Sequence, residues 1–95
     1  MQVLQTTIFK KAVKKLHANQ KICLDKAVKA LLSNPLLGTE KVGDLSGVRV
    51  YKFHMIDRLT LLAYKYDKQD SSITLLALGV HENFYRDLKT QKIKC

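Results

Sequence analysis

VRVYKFHMIDRLTLLAYKYDKQDSSITLLALGV, residues 48–80, decides the fold of this chain. Three runs rich in β-branched, aromatic and aliphatic residues occupy it, Val48 to Met55, Leu59 to Asp67 and Ser72 to Val80. Ile56-Asp57-Arg58 and Lys68-Gln69-Asp70-Ser71 separate them, and links this short join antiparallel neighbours, because a parallel crossover needs a dozen residues or more. In the second and third runs apolar residues fall on both alternations, Leu59, Leu61 and Ala63 beside Leu62 and Tyr64, then Leu75 and Ala77 beside Leu76 and Leu78. That is the pattern of interior strands covered on both faces. Helices are expected on one face, and the chain's own ends or a bound partner on the other.

Towards the N-terminus, Gln2 to Gln5 is short and extended in character. Thr6 or Thr7 then stands where a helix cap belongs, ahead of apolar residues Phe9, Ala12, Val13 and Leu16 at helical spacing. Lys10, Lys11, Lys14 and Lys15 take the other side of that helix, a solvated cationic face. After a polar break, His17 to Gln20, a second stripe of Leu24, Ala27, Val28, Leu31 and Leu32 runs to Asn34-Pro35, where proline ends it. Pro35 to Gly47 is rich in glycine and turn formers and reads as a connection over the surface. Beyond the last strand, His81 to Leu88 is expected to form a short C-terminal helix and Lys89 to Cys95 a frayed basic tail. The order is β-α-α-β-β-β with a terminal helical turn, an α+β fold in which a two-helix hairpin packs on a small, mainly antiparallel sheet. One domain is expected over residues 1–95.

Seventeen Lys and Arg against 8 Asp and Glu give a formal charge of +9, a field that draws polyanions or an acidic protein. With 46% hydrophobic residues the chain affords a core, which excludes a disordered protein. Its 2 cysteines, Cys23 and Cys95, form neither a CxxC pair nor a secreted disulfide framework, so a reducing cytosol fits. No basic leader precedes an apolar run, and no stretch has the roughly 20 apolar residues that span a bilayer. A cytoplasmic protein with no membrane contact is therefore expected. His17, His54 and His81 lie far apart without ligand spacing, and no glycine-rich phosphate loop is present, so neither metal nor cofactor is expected.

Polar donors interrupt the apolar strands at Arg49, Lys52 and His54, and His81 and Tyr85 follow the last strand. By the two-residue strand period, Lys52 and His54 share one face, while Tyr51 and Phe53 turn the other way, into the helix-covered core. RNA offers phosphates for a lysine to neutralise and a 2′-hydroxyl that, once deprotonated, attacks the adjacent phosphate. The reaction needs a base, an acid and cations, and imidazole and phenol exchange the protons. Each residue also has a plainer reading. Lys52 and His54 serve equally as exposed polar positions, His81 and Tyr85 as a helix start with a packed tyrosine, and Arg49 as the partner of an acid on the helix side.

The segment order, NPLLG (34–38), GVRVYKF (47–53), LLAYKY (61–66) and above all LLALGVHENFYRDLK (75–89) resemble bacterial toxins of the RelE/ParE superfamily. The resemblance spans nearly the whole chain. It implies a microbial-ribonuclease-like fold, cleavage of mRNA, often on the translating ribosome, and a cognate antitoxin encoded alongside that wraps the toxin and blocks its site. It also implies that the toxin-antitoxin complex binds operator DNA through the antitoxin. Carried over by position, Lys52 matches a strand lysine of the nuclease branch and His54 stands where a second lysine is usual. His81 takes the C-terminal basic position and Tyr85 the nearby tyrosine.

One departure bears on activity. The arginine that polarises the phosphate on the next strand is replaced by Leu61, unless Arg58 reaches in from the hairpin. The expectation is an endoribonuclease in which His54 or His81 and Tyr85 share the proton transfers while Lys52, Arg58 and Arg49 hold phosphate. The alternative within the same fold is a ParE-like toxin that binds DNA gyrase and needs no acid or base. A non-catalytic basic module is a third reading, set back by the absence of the aromatic stacking pattern of RNA-binding sheets.

Overall fold

Thr6 joins the first strand to the first helix and fixes both. Its extended backbone lets Oγ1 accept from the Phe9 amide at 3.1 Å, capping α1 (Thr7–Lys14). The same hydroxyl donates to the Leu76 carbonyl at 2.7 Å and the Thr6 amide donates to Leu75 at 3.1 Å, which ties the cap to the last strand. The computed structural model describes residues 1–56 and 58–79, and in them β1 (Gln2–Gln5) precedes α1 and α2 (Ala18–Ser33) follows it. The polar stretch read as a break is instead the start of α2. His17 is its N-cap, and the His17 amide donates to Gln20 Oε1 at 2.8 Å, which satisfies the backbone without an added loop.

The sheet has five strands in the order β1-β5-β4-β3-β2, formed by β2 (Thr39–Glu40), β3 (Arg49–Met55), β4 (Arg58–Asp67) and β5 (Ser72–Gly79) besides β1. β1 runs parallel to β5 and the other pairs are antiparallel. The α+β layout expected from the sequence is therefore observed. Two boundaries differ. Arg58 opens β4 opposite Met55 rather than belonging to the link, so the β3–β4 loop has two residues. The connection after α2 is not simply a surface loop, since it contains β2 and a single 3-10 turn, Gly43–Leu45, and both Gly38 and Leu45 are buried.

Two apolar clusters follow from strand parity. Tyr51, Phe53 and Met55 of β3 and Leu62 and Tyr64 of β4 face the helices, where Phe9, Leu24 and Leu31 close the main core. Val50, Leu61 and Ala63 face away and join Leu45, Val48 and Ala77. The second face is thus covered in part by Leu45 of the connection, which is 5% exposed. On β5 the two-residue period breaks, because Ala63 pairs with Ala77 but Tyr64 with Leu75. Leu76 is the extra residue of a bulge, which places Leu76 and Ala77 in succession against the second cluster. The apolar run on both alternations thus has two causes, cover on both faces and a change of phase. The turn after β4 spans residues 68–71 as read, with Asp67 Oδ1 accepting from the Gln69 and Asp70 amides at 2.9 and 3.1 Å.

Candidate functional site

β2 pairs only with Arg49 and Val50, so the rest of β3, Tyr51 to Met55, lies at the sheet edge among the described residues. Lys52 and His54 are exposed there. They share the face turned from the helices, and their spacing along a strand is about 7 Å, close enough for both to reach one phosphodiester. Opposite Lys52 stands Leu61, which in turn pairs with Gly79, so one row crosses three strands as Lys52, Leu61 and Gly79. Opposite His54 stands Leu59, 45% exposed. Leu61 is buried at 3% exposure in the second cluster and adds no charge to the row.

His54 also lines a shallow hollow at the strand edge with Tyr51, Phe53, Cys23, Ala27 and Lys26. Lys26, exposed on α2, is the cation that the sequence did not assign to the site. Its position off the apolar stripe of α2 marks a solvated residue and carries no sign of β3, because the docking of α2 over the strand edge is a tertiary event.

Arg49 and Arg58, expected on phosphate, are on the other face from Lys52 and His54. Arg49 turns to the helix side, as its parity requires, and its guanidinium donates from Nε to Gly38 O at 3.2 Å and from Nη2 to Leu36 O at 3.3 Å. Its acidic neighbour is Glu40 of β2 at 3.9 Å rather than a helix residue, and at that distance the exposed pair adds little. The Tyr64 ring, fully buried, meets the same loop. Its hydroxyl donates to Pro35 O at 2.7 Å and accepts from the Gly38 amide at 2.9 Å. The motifs NPLLG, GVRVYKF and LLAYKY are in this way one constellation, two strands gripping one loop. Arg58 lies at the sheet end with Lys15, Gln20, Met55 and Leu78 around a separate hollow. His81 and Tyr85 lie outside the described residues, as does the helix expected from His81 to Leu88.

Among the described residues no three His, Cys, Asp or Glu side chains gather as a metal site, and no helix is long and apolar enough to cross a membrane. The sequence model of a family described as the ParE-like toxin of type II bacterial toxin-antitoxin systems matches residues 3–89. A search of curated proteins returns no match. Solved structures match in fold. A free mutant of the Escherichia coli toxin RelE shares 15% identity at a TM-score of 0.74, with 98% of this chain and 94% of that one covered. A chain of the intact E. coli RelBE toxin-antitoxin complex shares 17% at 0.68, with 85% and 96% covered. A YoeB/ParE toxin from Agrobacterium tumefaciens shares 12% at 0.67, with 86% and 100% covered.

Proposed function

The chain belongs to the ParE-like toxin family of type II bacterial toxin-antitoxin systems, and on that footing we propose that it is an endoribonuclease that cuts mRNA on the ribosome and is silenced by a cognate antitoxin. The observation that carries this reading is the exposed pair Lys52 and His54, on one face of an open sheet edge, with Lys26 lining the same hollow as His54. Lys52 holds the scissile phosphate. His54 or His81 takes the proton from the 2′-hydroxyl, whose oxygen bonds to phosphorus as the bond to the 5′-oxygen breaks. Tyr85 returns a proton to that leaving oxygen, and a 2′,3′-cyclic phosphate remains. Lys26 adds positive charge as the phosphorane forms.

The solved RelBE complex holds an antitoxin, and this chain's charge of +9 suits an acidic one. Excess antitoxin then suppresses activity by mass action, and the pair binds operator DNA through the antitoxin in the cytoplasm.

A second reading, a gyrase poison without nuclease chemistry, is favoured by one specific observation. Leu61 and Leu59 face Lys52 and His54 where a nuclease profits from cations, and both candidate arginines lie across the sheet. Mapping RNA 5′ ends in a translation extract, beside a gyrase supercoiling assay, separates the two. Wild type is expected to generate new ends, and Lys52→Ala and His54→Ala to lower their yield by about 100-fold. Intact mRNA together with inhibited supercoiling would establish the gyrase reading instead.

A further inference from the structure

We infer that the hollow at the hairpin end of the sheet, on the helix side, is a docking site for an acidic segment of the partner protein that inserts a large apolar side chain. The inference rests on the antitoxin reading above and adds where and by what chemistry the partner is held. The hollow, about 360 Å³, opens between the end of α1, the start of α2 and the β3–β4 hairpin. Its apolar lining comes from Leu16, Met55 and Leu78, of which Met55 is 5% exposed, and an unbranched thioether adapts to a variety of inserted shapes. Lys15 and Arg58, both exposed, stand at the same opening, and Gln20 adds an amide. Among the described residues no acid forms an ion pair with either cation.

Charge selects the occupant. Residues 80–95 of the chain itself carry four cations, Arg86, Lys89, Lys92 and Lys94, against two acids, Glu82 and Asp87, a net charge of the same sign as the opening. A nucleic acid strand would be drawn to Lys15 and Arg58 but would place sugar and phosphate over the apolar side chains of Leu16, Met55 and Leu78, with only Gln20 and Thr60 to hydrogen-bond it. A peptide with Leu, Ile or Phe flanked by Asp or Glu satisfies floor and rim together. This hollow lies across the sheet from Lys52 and His54.

The test uses the full chain and the protein encoded by the adjacent reading frame. The chain has 2 methionines, so [¹³C-methyl]methionine labelling gives one signal from the hollow, Met55, and one reference, Met1. Adding the partner is expected to move the Met55 methyl resonance and leave Met1 unchanged. Of overlapping 15-residue peptides from the partner, the one that reproduces the shift is expected to carry an apolar residue between acids. Lys15→Glu with Arg58→Glu should weaken binding about tenfold or more, whereas Lys65→Glu with Lys68→Glu, at the far end of β4, should change it less than about threefold. Thermal melting checks that the variants fold, and Lys15→Gln serves as the milder probe if the double reversal does not. Tight binding that ignores both reversals and leaves Met55 unmoved would overturn the docking site while keeping the antitoxin reading. No binding by wild type would instead remove the antitoxin reading. A Met55 shift produced by a single-stranded RNA and not by the partner would reassign the hollow to nucleic acid and overturn the proposal.

Discussion

Tyr64 and Gly38 are matched to each other at atomic distance. A Cβ built on Gly38 would stand 2.7 Å from Tyr64 Cε1 and 2.8 Å from its hydroxyl oxygen, and a fully buried ring has nowhere to retreat. Gly38→Ala is therefore expected to cost about 1–3 kcal/mol through overpacking. Tyr64→Phe should cost about as much for a different reason, because it strands the Gly38 amide and the Pro35 carbonyl. Because the two residues share one contact, the double variant should cost less than the sum of the singles, as measured by urea unfolding. Additive losses would show that the loop is held by other means. The same contact shows what residue types reveal. Strand parity placed Lys52 and His54 together and turned Arg49 away from them, since parity is a local property of an extended chain. It could not assign the partners of Arg49, two backbone carbonyls of a loop 11 and 13 residues earlier, because a carbonyl carries no sequence signature. Lys26 escaped because the docking of α2 over the strand edge is a tertiary event, and the side on which Arg58 lies because it follows from a two-residue loop that puts Arg58 in β4 opposite Met55.

The β3–β4 hairpin stores strain in its loop. Ile56 has φ of 62°, a left-handed conformation that crowds a β-branched side chain, and it is 48% exposed, so no burial compensates. Asparagine tolerates that region through its short polar side chain. Ile56→Asn is expected to raise stability by about 0.5–1 kcal/mol, read as a higher urea midpoint at unchanged slope. A lower midpoint would mean that Ile56 packs against something its exposure does not reveal. The loop also explains a missed boundary. Ile56-Asp57 lacks the Asn-Gly or Asp-Gly signature of a two-residue turn, so the sequence reads as a three-residue link that takes in Arg58, whereas Arg58 opens β4. The bulge at Leu76 was equally hidden, since a run of apolar residues looks the same in either phase. By contrast, Thr6 and the 68–71 turn were legible because their residue types are themselves the hydrogen-bonding device, a hydroxyl cap in one case and an Asp67 carboxylate in the other.

For the molecule as a whole, a charge of +9 attracts RNA, but the sheet decides which lysines hold it. Lys10, Lys11 and Lys14 are exposed on α1, which packs on the helix side, and Lys52 projects from the opposite face. A layer of side chains and a sheet separate them by more than about 10 Å, roughly the Debye length at 0.1 M salt, so at physiological ionic strength their field is largely screened from bound substrate. They act on approach, where long-range attraction sets the encounter rate. If about four cations contact a single strand, log K falls with log salt at a slope near −3, which is about 60-fold between 50 and 200 mM. Lys10→Gln, Lys11→Gln and Lys14→Gln together are expected to leave that slope within about half a unit of wild type while slowing association at low salt, and Lys52→Gln alone to reduce the slope by about 0.7. Fluorescence anisotropy of a labelled RNA across a salt series, with stopped-flow association rates, measures both quantities. A triple variant whose slope falls by two units or more would place the strand over α1, and the grip on phosphate would then belong to the helices instead of the sheet edge.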